Sequence, residues 1–207
     1  MDLSLPIGNG QLGAMIFGGI GCDEIQFNEK TVWTGRPNGI EKKANYGEYR
    51  NFGNLYISHR GIKTDTKITD YRRWLDIRNA VAGMTYSIDG VRYDREYIAS
   101  SPDGMIAVML RASGKEKINV DLLLKDGNTD YNGTASGTKI DKGNMTFKGK
   151  LTYLSYYCRV AVTPYGKKAK MSINDSALTI TKADSLLVLL SGGTNYSTET
   201  ANYRTNE

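Results

Sequence analysis

Turn signals recur along most of this chain at roughly 8–12-residue spacing, and short alternating segments fill the intervals. Met84 to Ile88 alternates, Asp89-Gly90 supplies a hairpin turn, and Val91 to Ala99 alternates again. Val91, Tyr93, Arg95 and Tyr97 then share one face of a strand, and Arg92, Asp94, Glu96 and Ile98 the other. Ser101-Pro102-Asp103-Gly104 turns the chain into an apolar strand, Met105 to Arg111. Further strands are predicted at Ile118 to Leu124, Met145 to Leu151 and Tyr156 to Val162, with a turn at Pro164-Tyr165-Gly166. Lys170 to Ile173 and Ala177 to Thr181 flank a turn at Asn174-Asp175-Ser176. Ser185 to Ser191 is almost continuously apolar and reads as a central strand buried on both faces. Lys125 to Lys139, rich in Gly, Asn, Asp and Thr, reads as a long exposed loop. Helical periodicity is weak throughout; its best stretch, 41–50, allows a turn or two. The expectation is an all-β fold, an antiparallel two-sheet β-sandwich with less than about 10% helix.

The 207 residues fit about one domain, with 1–193 as the sandwich and the polar 194–207 as the start of a linker. Hydrophobic residues make up 40% and charged residues 24%, enough for a globular core. Of the aromatic residues, 14 are Tyr and only 4 Phe, and 23 glycines stand between segments of Tyr, Thr, Val and Ile, a β composition. The net charge of +5 is spread rather than clustered: Lys42-Lys43, Arg72-Arg73 and Lys167-Lys168 lie far apart, each near acids. No nucleic-acid partner is expected from that pattern. No run of 18 apolar residues is present, so no membrane span is expected, and Met1 opens no secretory signal. The single histidine, His59, excludes a multi-histidine zinc site within the chain. Neither a metal nor a cofactor is expected. Cys22 and Cys158 make at most one bridge; two free, buried thiols are the expected state.

Several motifs carry chemistry in principle. Gly8-Asn9-Gly10-Gln11-Leu12-Gly13 has the letters of a dinucleotide loop, but a β run follows it where a helix is needed. Its glycines read as a tight bend against a close-packed strand. His59, between Ser58 and Arg60, reads as a solvated or edge-strand residue. Asp94 and Glu96 share a face with Arg92 and read as a surface ion-pair ladder rather than a carboxylate pair for hydrolysis. Asp23, Glu24 and Glu29 lie near the N-terminal motif, and Asn28, Glu29, Trp33 and Thr34 crowd polar and aromatic chemistry into seven residues. Tyr153, Tyr156, Tyr157, Trp33 and Trp74 are candidates for a sugar-stacking platform or for ordinary core.

The run from Leu5-Pro6-Ile7-Gly8-Asn9-Gly10-Gln11-Leu12-Gly13-Ala14-Met15 through Phe17-Gly18-Gly19 to Ile25-Gln26-Phe27-Asn28-Glu29-Lys30-Thr31-Val32-Trp33-Thr34-Gly35 resembles the start of glycoside hydrolase family 95. Tyr71-Arg72-Arg73-Trp74-Leu75-Asp76, Tyr93 with Arg95-Glu96, and Ala99-Ser100-Ser101-Pro102-Asp103 extend the match. The family is typified by α-L-fucosidases, with some α-L-galactosidases. Two departures stand out: only four residues precede Leu5, and Gly35-Arg36-Pro37 replaces a Gly-Gly-Pro.

The resemblance implies an N-terminal β-sandwich whose partner is a helical-barrel catalytic domain further along the polypeptide. It places the catalytic acid and the water-activating groups of an inverting mechanism in that barrel, so no catalytic residue is assigned here. Substrate-rim candidates are Asn28, Glu29, Trp33, Thr34 and Arg36. The implied ligand of the whole enzyme is a fucosylated or related glycan, and the implied location is periplasmic or extracellular. Two other readings stand beside this one: a free-standing carbohydrate-binding module, and a stand-alone hydrolase using Glu29 with Asp23 or Glu24.

Overall fold

Alternation decides which side of most strands faces inward in the computed structural model, which describes residues 3–36, 46–63, 65–131, 137–200 and 203–205 and has fifteen strands among them. The first sheet runs, in spatial order, β1 (Leu5–Gly8), β2 (Leu12–Ile16), β3 (Cys22–Glu29), β4 (Gly53–His59), β9 (Ile118–Asp126), β14 (Ala177–Ala183) and β13 (Lys170–Asn174). The second runs β10 (Lys139–Asp141), β11 (Asn144–Lys150), β12 (Ser155–Tyr165), β15 (Ser185–Thr194), β8 (Met105–Ala112), β7 (Val91–Ser100), β6 (Val81–Ile88) and β5 (Ile68–Asp76). Neighbouring strands pair antiparallel in both sheets, and no helix occurs among the described residues.

Between the sheets lies one apolar core. Ile25 and Phe27 of β3, Leu55 and Ile57 of β4, and Leu122 and Leu124 of β9 are buried from one side. Tyr97, Val108, Val160 and Val188 meet them from the other. Phe52 meets Phe27, Phe147 and Tyr156 edge to face, with ring centroids 5.6, 5.7 and 6.0 Å away. The β6–β7 hairpin turns through Asp89 and Gly90 at φ 49° and 78°, the left-handed pair that a two-residue turn of this hand requires. Gly8 to Gly13 forms the β1–β2 hairpin, in which the Asn9 side chain accepts the Gln11 and Leu12 N–H groups at 3.0 and 2.8 Å. Of the three glycines there, Gly10 at φ 88° takes the left-handed backbone that the bend uses.

A buried ion pair crosses the core. Asp23 of β3 and Arg95 of β7 are buried, 3.3 Å apart, and join the two sheets. Asp23 also accepts the Gly18 N–H at 2.7 Å and the Tyr97 hydroxyl. Arg95 donates to the Tyr86 hydroxyl at 3.2 Å. Burial opposes the Arg95 charge, but Tyr86, Tyr97 and Asp23 outweigh it and raise its pKa. Burial and then Asp23 hold the Tyr97 phenol far above its usual pKa, so it stays a donor. On the opposite face Arg92 pairs with Asp94 and Arg111 with Glu96, the expected surface ladder.

Several local expectations need correction. Of the loop expected at Lys125 to Lys139, residues 132–136 lie outside the described residues, and its start is not exposed loop: β9 runs to Asp126, and Asp126 and Asn128 are buried and bonded to each other. Pro164 lies inside β12 rather than in a turn. β11 pairs only as far as Ala161, so the missing N–H of Pro164 faces no strand. β15 is central, but its outward Leu187 and Leu189 are only half-buried. His59 sits on the interior strand β4, half-buried with its ring edge-on to Tyr93. Both cysteines are free, yet Cys22 is exposed and only Cys158 is buried. Of the helical stretch at 41–50, residues 41–45 lie outside the described residues and 46–50 are not helical.

Candidate functional site

At the end of β3 the strand alternation separates two neighbouring candidates. Asn28 faces outward, and Glu29 faces inward with 1% of its surface exposed. Glu29 is thus no rim group in this structure. Its carboxylate accepts the Thr31 N–H at 2.8 Å and the Thr31 hydroxyl at 2.5 Å, which fixes the turn that follows. Thr31 in turn lies 2.5 Å from the Thr194 hydroxyl at the end of β15. The segment beyond Glu29 therefore sits beside the point where the chain leaves its last strand.

Val32 anchors that segment in the core, and the next residues form a corner with 46–50. Arg50 N–H donates to Val32 O at 3.0 Å, and Thr34 N–H to Glu48 O at 3.0 Å. The Thr34 hydroxyl accepts the Glu48 N–H at 2.8 Å, so Thr34 works inside the corner. Gly35 and Gly47 permit the contact: a Cβ on Gly35 would lie 2.2 Å from Tyr46 O, and Gly47 has φ +66°. Trp33 and Tyr49 stand on this corner with ring centroids 5.8 Å apart and planes tilted by 41°. They are 42% and 46% exposed. The Trp33 indole N–H donates to Tyr46 O and the Tyr49 hydroxyl to Glu29 O, at 3.0 Å for the latter. Burial and then Glu29 raise the Tyr49 pKa, keeping that donor protonated. Arg36 is exposed at the end of the described segment.

The structure thus brings Asn28, Trp33 and Thr34 to one corner and turns Glu29 beneath it. The motif reading missed Tyr49, Arg50 and Asn51, which border Asn28 along an open groove of about 530 Å³. They belong to no alternating run, and the glycine-dependent contact and the Val32–Arg50 bond bring them there. Arg50 is held by Asn128 at 3.2 Å and Asp130 at 2.9 Å. Asp126 beneath accepts the Tyr156 hydroxyl at 2.9 Å, and burial raises its pKa. Of the other aromatic candidates, Tyr156 is core, whereas Tyr153 and Tyr157 are exposed.

Asp23, Glu24 and Glu29 do not converge as a hydrolytic carboxylate pair would. Asp23 and Glu29 both face inward, six residues apart on one strand, hence about 20 Å apart. Glu24 faces outward, where Asn54 and Tyr56 bond it at 2.6 and 3.2 Å. Two-carboxylate glycoside hydrolysis works at roughly 5–9.5 Å. No His/Cys/Asp/Glu cluster suited to a metal occurs among the described residues, and no helix there is long and apolar enough to cross a membrane.

The family model described as "Glycosyl hydrolase family 65, N-terminal domain" matches residues 1–48 and 39–199. The chain belongs to that family. Among curated relatives of this family 65 N-terminal domain, alpha-L-fucosidase 2 of Arabidopsis thaliana is 31% identical over 140 residues, covering 53% of the chain. The probable alpha-fucosidase A of Aspergillus oryzae (strain ATCC 42149 / RIB 40) is 24% identical over 228 residues, covering 92%. The chain spans only 17% and 31% of those two relatives. A solved chain described as a putative kojibiose phosphorylase from human microbiome superposes over 97% of this chain with a TM-score of 0.59. At 12% identity, and over 30% of that chain, it supports the fold alone. The chain is therefore an N-terminal glycoside hydrolase domain with fucosidase-related relatives.

Proposed function

We propose that this chain is the non-catalytic N-terminal β-sandwich of a family 95-like glycoside hydrolase of the α-L-fucosidase or α-L-galactosidase type. It scaffolds a helical-barrel catalytic domain in the same polypeptide and lends Asn28, Trp33 and Arg36 to the rim of its pocket. Glu29 and Thr34 set the corner from within. The enzyme acts on fucosylated or related glycans in the periplasm or outside the cell. The observation that carries the reading is the exposed Trp33–Tyr49 pair lying beside the end of β15. A domain following β15 emerges next to that corner, and the much longer relatives named as fucosidases leave room for one.

An aryl α-L-fucoside assay tests this on two proteins, the 207-residue chain and the same chain extended to the length of its relatives. The chain alone is expected to give no turnover, and the extended protein to give it. Trp33→Ala in the extended protein is expected to lower kcat/KM by about 2- to 10-fold, the worth of one stacking ring. Turnover by the chain alone that disappears with Glu29→Gln overturns the proposal.

A second reading, a free-standing carbohydrate-binding module, is favoured by the groove beside Asn28.

A further inference from the structure

The groove on the outer face of the first sheet exists because side chains are missing from its floor. In register across three strands lie Gly8 of β1, Gly13 of β2 and Asn28 of β3. Neither glycine is there for the backbone's sake. Neither has a left-handed φ, and a Cβ on each would meet its nearest neighbour at 3.5 and 3.7 Å, ordinary contact distances. A side chain on Gly13 would instead occupy the groove that this residue lines. The next row is Pro6, Met15 and Gln26, an apolar stripe ending in an amide.

The walls carry the chemistry that hydroxyls and C–H faces recognise. Tyr49 presents a half-exposed ring whose orientation is locked by its bond to Glu29 O. Asn28 spends its carbonyl on the Glu29 N–H at 3.0 Å, leaving its NH₂ toward the groove. The Gln26 amide makes no hydrogen bond among the described residues, so it offers both a donor and an acceptor. Arg50 is the one ionised group on the lining, and Asp130 neutralises it. A groove with an aromatic wall, an apolar floor, pre-placed amides and a single cation already paired with Asp130 suits a neutral polar ligand better than an anion or a flat apolar partner. Its volume of about 530 Å³ falls in the range of small-molecule sites.

We infer that this groove is a binding site for a neutral saccharide of one or two rings, held by the sandwich itself. The Tyr49 ring lies against a sugar C–H face, Met15 and Pro6 line the floor, and Gln26 with Asn28 bonds the ring hydroxyls. The site deepens the carbohydrate reading above but does not depend on a catalytic domain. Binding by the isolated chain and turnover by an extended one therefore fail separately.

The test is a ¹⁵N-resolved NMR titration of the 207-residue chain with L-fucose, D-galactose, maltose and lactose. Saturable shifts at Gln26, Asn28 and Tyr49 are expected for at least one probe, with Kd near about 1 mM. Gly13→Val fills the floor while suiting a strand, and Gln26→Ala removes one amide. Each is expected to weaken binding by about tenfold or more, with an unchanged thermal unfolding transition. No saturable shift with any probe overturns the inference. So does binding that both variants leave intact, or self-association of the chain through this face. Stronger binding of a sulfated sugar than of any neutral probe overturns the assignment of ligand class.

Discussion

Asp23 and Arg95 show how far a single pair of residues reaches in this sandwich. Each alone is a buried charge; together, with the Gly18 N–H and the Tyr97 hydroxyl, they form a bridge between sheets that leaves the buried Arg95 Nε without a hydrogen-bond partner. Removing one member leaves the other unpaired in the core. Arg95→Met is expected to cost about 3–5 kcal/mol in urea unfolding, whereas Asp23→Leu combined with Arg95→Met recovers part of that loss. Strictly additive losses in the double-mutant cycle would show that the two charges are not coupled. Half of this bridge is legible in the sequence: alternation puts Arg95 on the face of Tyr93 and Tyr97. Its partner is not legible, because Asp23 belongs to the other sheet and no periodic pattern relates the two.

At the level of strands, legibility followed chemistry that is local. Asp89-Gly90 announces the β6–β7 hairpin because both residues accept the left-handed backbone the turn needs. β5 escaped because it is an edge strand whose residues are mostly exposed, so its alternation carries no apolar signal. The corner at Trp33 was half legible: its residue types were conspicuous, but the 46–51 segment that completes it is placed by Gly35, Gly47 and the Val32–Arg50 bond. Strand position also separates the cysteines. Cys22 opens β3 in solvent, with Ser58 3.4 Å away, while Cys158 faces inward on β12 and burial pushes its thiol far up. Native-state treatment with iodoacetamide at pH 8 is expected to label Cys22 and spare Cys158 until the chain is unfolded. Equal labelling of both under native conditions would mean that β12 is not held as described.

The whole molecule is closed by its last strand. β15 lies between β8 and β12 and bonds to both, although it follows them in the chain. A chain ended at Asp184 would expose two strand edges in the middle of the eight-stranded sheet. Such a truncation is expected to lose its cooperative thermal transition and to bind a hydrophobic dye. A sharp transition within about 5 °C of the intact chain would show that β15 is dispensable. The same order of strands sets a condition on synthesis. A nascent chain grows at roughly 5–20 residues per second, so several seconds separate the appearance of β8 from that of β15. Throughout that interval the growing polypeptide carries an apolar strand with an open edge, and this domain depends on whatever shields it at the ribosome until Ser185 to Thr194 arrives.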